Sequence, residues 1–376
     1  MNTYFDNAAT TPISERALER YIEVSRTITG NPSSIHREGV KAHDYLESQR
    51  KKIASILKVK PECITFTSGA SESISRVMES LLWLKNPGTV IISRIEHEAV
   101  KSYAGILKER GWNVKMLKCP KGHPSPEDLR ELLTEDTKLV AVMSVNNVTG
   151  ALTDVKELVK VVREYEKETG RKIFFFSDSV QALGKTNLDL AGWDVDGASF
   201  SSHKIQGPRG VGMLYLKNHN FIHPLAVQGG QEKGVRGGTE NVPGIAAFAE
   251  ALEEVYENRA EKEEKARKIN SYLRSELEAL GFEILSKGEC TPYILSVATP
   301  LPAEVFTRML IDKGFCVSSG SACSNNAKGK GEGTLQAMGY QPKYSENSIR
   351  ISLPENPDEE SAEALVKAIK EILNGR

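Results

Sequence analysis

The sequence contains no run of about 18 apolar residues, so no membrane-spanning helix is expected. Its opening, MNTYFDNAATTPISER, lacks the basic stretch and apolar core of an export signal. Cysteine is sparse: Cys63, Cys119, Cys290, Cys316 and Cys323 are odd in number, scattered, and never spaced CxxC. That pattern argues against a disulfide framework or a zinc knuckle and for a reducing, cytoplasmic setting. An excess of charge is missing too. With 49 basic and 50 acidic residues the net charge is −1, which excludes a general attraction to nucleic acid or lipid headgroups. What is present, 39% hydrophobic and 26% charged residues over 376 positions, fits a soluble globular protein of two domains, or one large domain plus a lobe.

Strands and helices alternate through the first two thirds. Short strands are expected at Ile64–Thr67, Val90–Ile92, Asn113–Leu117, Leu139–Met143 and Lys172–Phe176. Helical stretches are expected from Ser71 to Trp83, Glu98 to Arg110, Pro126 to Leu133 and Val155 to Glu168. This order describes an α/β protein with a mostly parallel sheet. From Val242 the pattern changes to one long polar-faced helix reaching Leu280. Strands at Tyr293–Val297 and Phe315–Ser318 follow, with helices at Ala303–Lys313 and Glu359–Leu373, as in a smaller α+β unit.

Four constellations could carry chemistry. Thr67-Ser68-Gly69-Ala70-Ser71-Glu72-Ser73 lies at a strand exit and helix entry, where free N–H groups suit a phosphate, although a Ser-capped helix reads the same way. Phe176-Ser177-Asp178-Ser179-Val180-Gln181 puts an acid at the carboxyl end of an apolar strand. In open α/β sheets ligands bind at that edge, and a buried carboxylate needs a cationic or hydrogen-bonding partner; the bland alternative is a turn or cap aspartate. Ser201-Ser202-His203-Lys204, before a glycine-rich turn, offers an amine that becomes a nucleophile if partly desolvated; most lysines are solvated surface groups. Cys323, among small polar residues in Ser319-Gly320-Ser321-Ala322-Cys323-Ser324, is expected to be an exposed thiol able to attack, or else an incidental one. Cys316, on an apolar strand, is expected to be buried. Two motifs fail. Gly184-Lys185-Thr186 looks like the end of a P-loop, but the pattern needs glycine where Ser179 stands; His219 and His223 have no third ligand nearby, so no metal site is expected.

The order of these motifs, together with Tyr4-Phe5-Asp6-Asn7-Ala8-Ala9-Thr10-Thr11, Gly30-Asn31-Pro32-Ser33-Ser34, Glu96-His97-Glu98-Ala99-Val100, Val145-Asn146-Asn147, Arg236-Gly237-Gly238-Thr239-Glu240-Asn241 and Ser348-Ile349-Arg350-Ile351-Ser352, resembles the NifS/IscS-like cysteine desulfurases. These belong to the class-V aminotransferase group of fold-type-I enzymes dependent on pyridoxal 5'-phosphate (PLP). The resemblance implies a large domain with a mostly parallel seven-stranded sheet over residues 13–255, and a small α+β domain from residues 1–12 and 256–376. It implies that Lys204 holds PLP and moves protons, that Asp178 pairs with the ring nitrogen, that Gln181 bonds the phenolic oxygen and that His97 stacks on the ring. Gly69, Ala70, Ser71, Ser201 and His203 would take the phosphate, with Thr239 reaching the phosphate in the other subunit of a homodimer. Asn147 would lie beside substrate and cofactor, and Arg350 would clamp the carboxylate of L-cysteine.

The implied activity moves sulfur from L-cysteine to Cys323 as a persulfide, releasing L-alanine, for an acceptor such as an iron–sulfur scaffold protein. Selenocysteine lyase or aminotransferase activity on the same fold, and a silent PLP-binding scaffold, are the alternatives. The sequence departs from the family pattern at Val148, where an acid is usual, and over residues 325–333.

Overall fold

A computed structural model describes residues 3–225, 229–319 and 333–375; Cys323 lies outside the described residues. In chain order the strands are β1 (Thr3–Tyr4), β2 (Ile64–Thr67), β3 (Thr89–Ser93), β4 (Asn113–Leu117), β5 (Thr137–Ala141), β6 (Phe174–Asp178), β7 (Gly197–Ser201) and β8 (Gly212–Leu216). They continue with β9 (Ile294–Ala298), β10 (Phe315–Cys316), β11 (Ser318–Ser319) and β12 (Ser348–Ser352). Seven form one sheet in the order β2-β8-β7-β6-β5-β3-β4, parallel throughout except for β8, which runs antiparallel to both neighbours.

Apart from the edge strand β4, the sheet is buried on both faces, as parallel sheets are. Alternation along each strand divides its side chains between two cores. Ile91, Val140, Phe175 and Phe200 face one core with the helices Arg37–Leu57, Val155–Thr169 and Val242–Tyr256. Val90, Ile92, Phe174, Phe176 and Leu214 face the other with the helix Ala70–Ser80. A separate apolar cluster joins Phe5, Ile269, Leu273, Phe306, Ile349 and Ile369 beneath the antiparallel sheet β11-β12-β9. The chain therefore has an α/β architecture with a seven-stranded, mostly parallel sheet and a second α+β layer. No helix among the described residues is long and apolar enough to cross a membrane.

Several expectations are corrected. The helix from Val242 to Leu280 is two helices, Val242–Tyr256 and Arg259–Ala279. Glu257 is extended and Asn258 is left-handed (φ 54°), a conformation asparagine tolerates better than most residues. The stretch Glu98 to Arg110 also divides, into Glu98–Lys101 and Tyr103–Glu109. The strand Phe315–Ser318 splits between sheets: β10 pairs parallel with β1, and β11 pairs antiparallel with β12. Cys316 sits on a two-residue strand and is only half-buried; among the described cysteines Cys119 is the fully enclosed thiol, and burial pushes it up to about 12.

Candidate active site

The carboxyl ends of β2, β6 and β7 open onto one cavity of 570 Å³, the crevice where open α/β sheets hold ligands. Gly69, Ala70, Ser71, His97, Asn147, Asp178, Gln181, Ser201, His203, Lys204 and Arg350 all line it. Thr239 does not; it is exposed on a separate strap, where Asn31 Nδ2 lies 3.5 Å from its Oγ1.

The cradle at the exit of β2 follows from backbone. The helix Ala70–Ser80 has no side-chain cap, so its first N–H groups stay available. Gly69 has φ 157° and ψ 176°, a region essentially confined to glycine, and a Cβ there would project toward Ser201 Oγ at 3.9 Å. Gly212 on β8 lets that turn settle: a Cβ on it would meet Gly69 Cα at 2.6 Å and the Phe200 carbonyl oxygen at 2.5 Å. His203 closes the cradle beside Thr10 Oγ1 at 3.1 Å. Burial, with Lys204, Arg209 and Lys185 nearby, drives its pKa down to about 4, so the imidazole is neutral at physiological pH. Uncapped helix N–H groups, a serine hydroxyl and a neutral imidazole are a donor set for a phosphate ester.

Asp178 ends β6 inside the protein. Its Oδ1 accepts from the Val180 N–H at 3.1 Å and from Ser199 Oγ at 3.4 Å. Burial raises its pKa, opposed by His97, these hydrogen bonds and Lys204; a cationic ring nitrogen would complete that set. His97 caps the helix Glu98–Lys101, its Nδ1 accepting from the Ala99 N–H at 3.1 Å. Just before it, Glu96 is fully enclosed. Its Oε1 accepts from Ser93 Oγ and the Met143 N–H, both at 2.5 Å, while Oε2 has no partner, and burial pushes its carboxyl up to about 8.

The N-terminal segment is the part that sequence reasoning left without a role. Lys204 Nζ donates to the carbonyls of Ala8 (2.8 Å) and Ala9 (2.6 Å), and the Thr11 N–H donates to the His203 carbonyl at 2.9 Å. Arg350 on β12 donates from Nη2 to Asp6 at 2.6 Å and from Nη1 to the Asn147 carbonyl at 2.9 Å. The signal was the motif Asp6 to Thr11 itself, whose carbonyls and carboxylate answer the two site cations. Behind the cavity, Gln181 Nε2 also donates to the Ala8 carbonyl (2.9 Å), and its Oε1 accepts from Lys185 Nζ (3.2 Å). Lys185 is enclosed; burial, then Lys204 and Arg350, lower its pKa to about 7. Val148, in the position where the family pattern has an acid, packs among Ile95, Met143, Leu335 and Met338, an environment that would oppose a charge. Among the described residues, no group of three or more histidines, cysteines and acids could hold a metal.

A lysine and an acid at the carboxyl edge of a mostly parallel sheet, beside an anion cradle, define a fold-type-I PLP-dependent enzyme. The class-V aminotransferase family model matches residues 3–365, and the chain belongs to that family, on its NifS/IscS cysteine desulfurase branch. A NifS/IcsS protein homolog of Lactobacillus delbrueckii subsp. bulgaricus is 38% identical over 380 residues, covering 98% of this chain and 96% of that protein. The cysteine desulfurase IscS of Dictyoglomus turgidum is 32% identical over 357 residues, covering 93% of this chain and 89% of its own. The solved structure of a NifS-like protein superposes with a TM-score of 0.92 at 36% identity, over 100% of both chains. SspA in complex with cysteine does so with a TM-score of 0.80 at 28% identity, over 95% of this chain and 100% of that one.

Proposed function

We propose that the chain is a cysteine desulfurase that transfers the sulfur of L-cysteine to Cys323 and releases L-alanine. The observation that carries this reading is the convergence of Lys204, Asp178, His97 and the uncapped turn at Gly69–Ser71 on one cavity whose far wall holds Arg350.

PLP, when bound, supplies the electron sink that makes bonds at the substrate carbons breakable. The residues do the rest. Gly69, Ala70, Ser71, Ser201 and the neutral His203, which line the cavity, would hold its phosphate, Asp178 its ring nitrogen and Gln181 its phenolic oxygen, while His97 would cover a ring face. Arg350, its guanidinium kept in plane by Asp6 and the Asn147 carbonyl, takes the substrate carboxylate, where two parallel donors outperform one ammonium. Asn147 adjoins the substrate. Lys204 Nζ, half-buried against the Ala8 and Ala9 carbonyls, anchors the cofactor and carries protons at the substrate carbons. The thiolate of Cys323 forms an S–S bond to the substrate sulfur as the C–S bond breaks. The electron pair stays on the substrate carbon, is protonated there, and yields alanine.

The working form in this reading is a homodimer in which the exposed Thr239 reaches the neighbouring subunit's phosphate, in a cytoplasm that keeps the thiol reduced. Residues 13–255 form the large domain, and 1–12 with 256–376 the small one. An iron–sulfur scaffold protein is the proposed acceptor. Alanine release from L-cysteine under reductant, wild type against Cys323→Ala, tests the core of it. Turnover in the wild type and a stall in a variant that keeps its PLP absorbance are expected. Equal alanine release by both would remove Cys323 as carrier and favour a lyase, with selenocysteine as its first substrate to try.

A further inference from the structure

Lys185 is a costly residue where it stands. It is 9% exposed, and the nearby cations Lys204 and Arg350 oppose its charge, with Glu355 alone among its charged neighbours favouring it. Lys185 does not itself line the active-site cavity; its Nζ donates to Oε1 of Gln181, which does.

That contact decides which way a carboxamide faces. The two ends of a glutamine side chain are nearly the same size and opposite in hydrogen-bonding sense, so neighbours set its orientation. Gln181 is 4% exposed and has two such neighbours. The Ala8 carbonyl can only accept, and it takes an N–H of Nε2 at 2.9 Å; the Lys185 amine donates, and it occupies Oε1 at 3.2 Å. A flipped carboxamide would set oxygen against oxygen at Ala8 and, with Lys185 protonated, N–H against N–H at its ammonium. In the observed orientation the second N–H of Nε2 is left for the cavity. The two halves of this lock differ. The Ala8 carbonyl is shared with Lys204 Nζ, the amine that reacts, whereas Lys185 touches nothing that reacts.

We propose that Lys185 is a positioning residue that fixes the Gln181 carboxamide with its N–H edge toward the cofactor's phenolic oxygen. The inference rests on the reading of Gln181 given above. An N–H aimed at that oxygen favours its deprotonated form; a carbonyl aimed there disfavours it.

The test is a pH titration of the bound cofactor's visible absorbance in holoenzyme, with PLP dissociation measured alongside. Lys185→Met is expected to raise the absorbance midpoint by about one pH unit and to weaken PLP about fivefold. Lys185→Gln, which restores an uncharged donor, is expected to recover most of both. Gln181→Met is expected to shift the midpoint by itself, and adding Lys185→Met to it to change nothing more. A Lys185→Met shift that persists undiminished in the Gln181→Met background would mean that charge alone acts, and would overturn the inference. So would a shift in Gln181→Met with none in Lys185→Met. If Gln181→Met left both readouts unmoved, the placement of Gln181 would fall, and the inference with it.

Discussion

Removing the guanidinium of Arg50 should unfold the protein's interior more than any surface change. Arg50 grips Glu232 with both prongs, Nη2 to Oε1 at 2.7 Å and Nη1 to Oε2 at 2.9 Å, and donates as well to the Ile64 carbonyl at 2.9 Å. Glu232 Oε2 also accepts from the Phe66 N–H at 2.8 Å, so the pair ties strand β2 to the turn at Gln231–Gly234. The two side chains are 7% and 1% exposed. In Arg50→Met the buried carboxylate keeps one donor, the Phe66 N–H, a loss of about 3–5 kcal/mol. Glu232 and Lys233 are also held left-handed, at φ 47° and 57°, which costs roughly 1 kcal/mol each and is tolerated because the pair pins the turn. Urea unfolding followed by circular dichroism, on Arg50→Met, Glu232→Met and the double variant, measures this directly. The double variant should lose clearly less than the two single losses added, because neither charge is then stranded. A loss below about 1 kcal/mol in Arg50→Met, or strict additivity, would refute the account.

Two further outcomes follow from contacts near the cofactor cradle. Gly212→Ala, whose new methyl would press on Gly69 and the Phe200 carbonyl, is expected to fold but to bind PLP at least about tenfold more weakly, read by equilibrium dialysis of the apoprotein. Glu96 has a folded pKa near 8, above the ordinary 4.5, so the native state retains a proton the unfolded chain has released. Stability should therefore fall as pH rises between those values, by at most about 1.4 kcal/mol per unit. Glu96→Gln should flatten that slope in melting temperatures taken from pH 5 to 8.5, and an unchanged slope would assign the dependence to other groups.

The sheet was legible because most of its strands are short, largely apolar and buried; Ile64–Thr67 and the partly exposed edge strand Asn113–Leu117 were read with their observed ends. Strand β8 was not recognised, since Gly210-Val211-Gly212 reads as a turn that hides the apolar stretch behind it. The helices Glu15–Thr27 and Arg37–Leu57, though amphipathic, were not read from the sequence. Nor does charge patterning reveal one left-handed asparagine, so the break at Asn258 stayed hidden. In the cavity, Gly69–Ser71, Asp178 and Ser201 lie together because they end strands or start a helix at one sheet edge, whereas Arg350 comes from the middle of β12 in the other sheet. The pairing of Arg350 with Asp6, 344 positions apart, is a tertiary fact that no local pattern contains. Lys185 was set aside as part of a failed phosphate motif; its role depends on the neighbour its amine meets.

The N-terminal segment also constrains how the molecule is made. Residues 3–11 are made well before their partners: β1 waits for β10, Asp6 for Arg350 and the Asn7 N–H for the Ser352 carbonyl. The carbonyls that hold Lys204 are thus carried on a piece of chain whose own partners are synthesised far later than Lys204 itself. Contacts this distant form late. A nascent chain can assemble the seven-stranded sheet, complete by Leu216, long before it has a working pocket, which postpones its reactive amine and sulfur chemistry until β10 and β12 have been made.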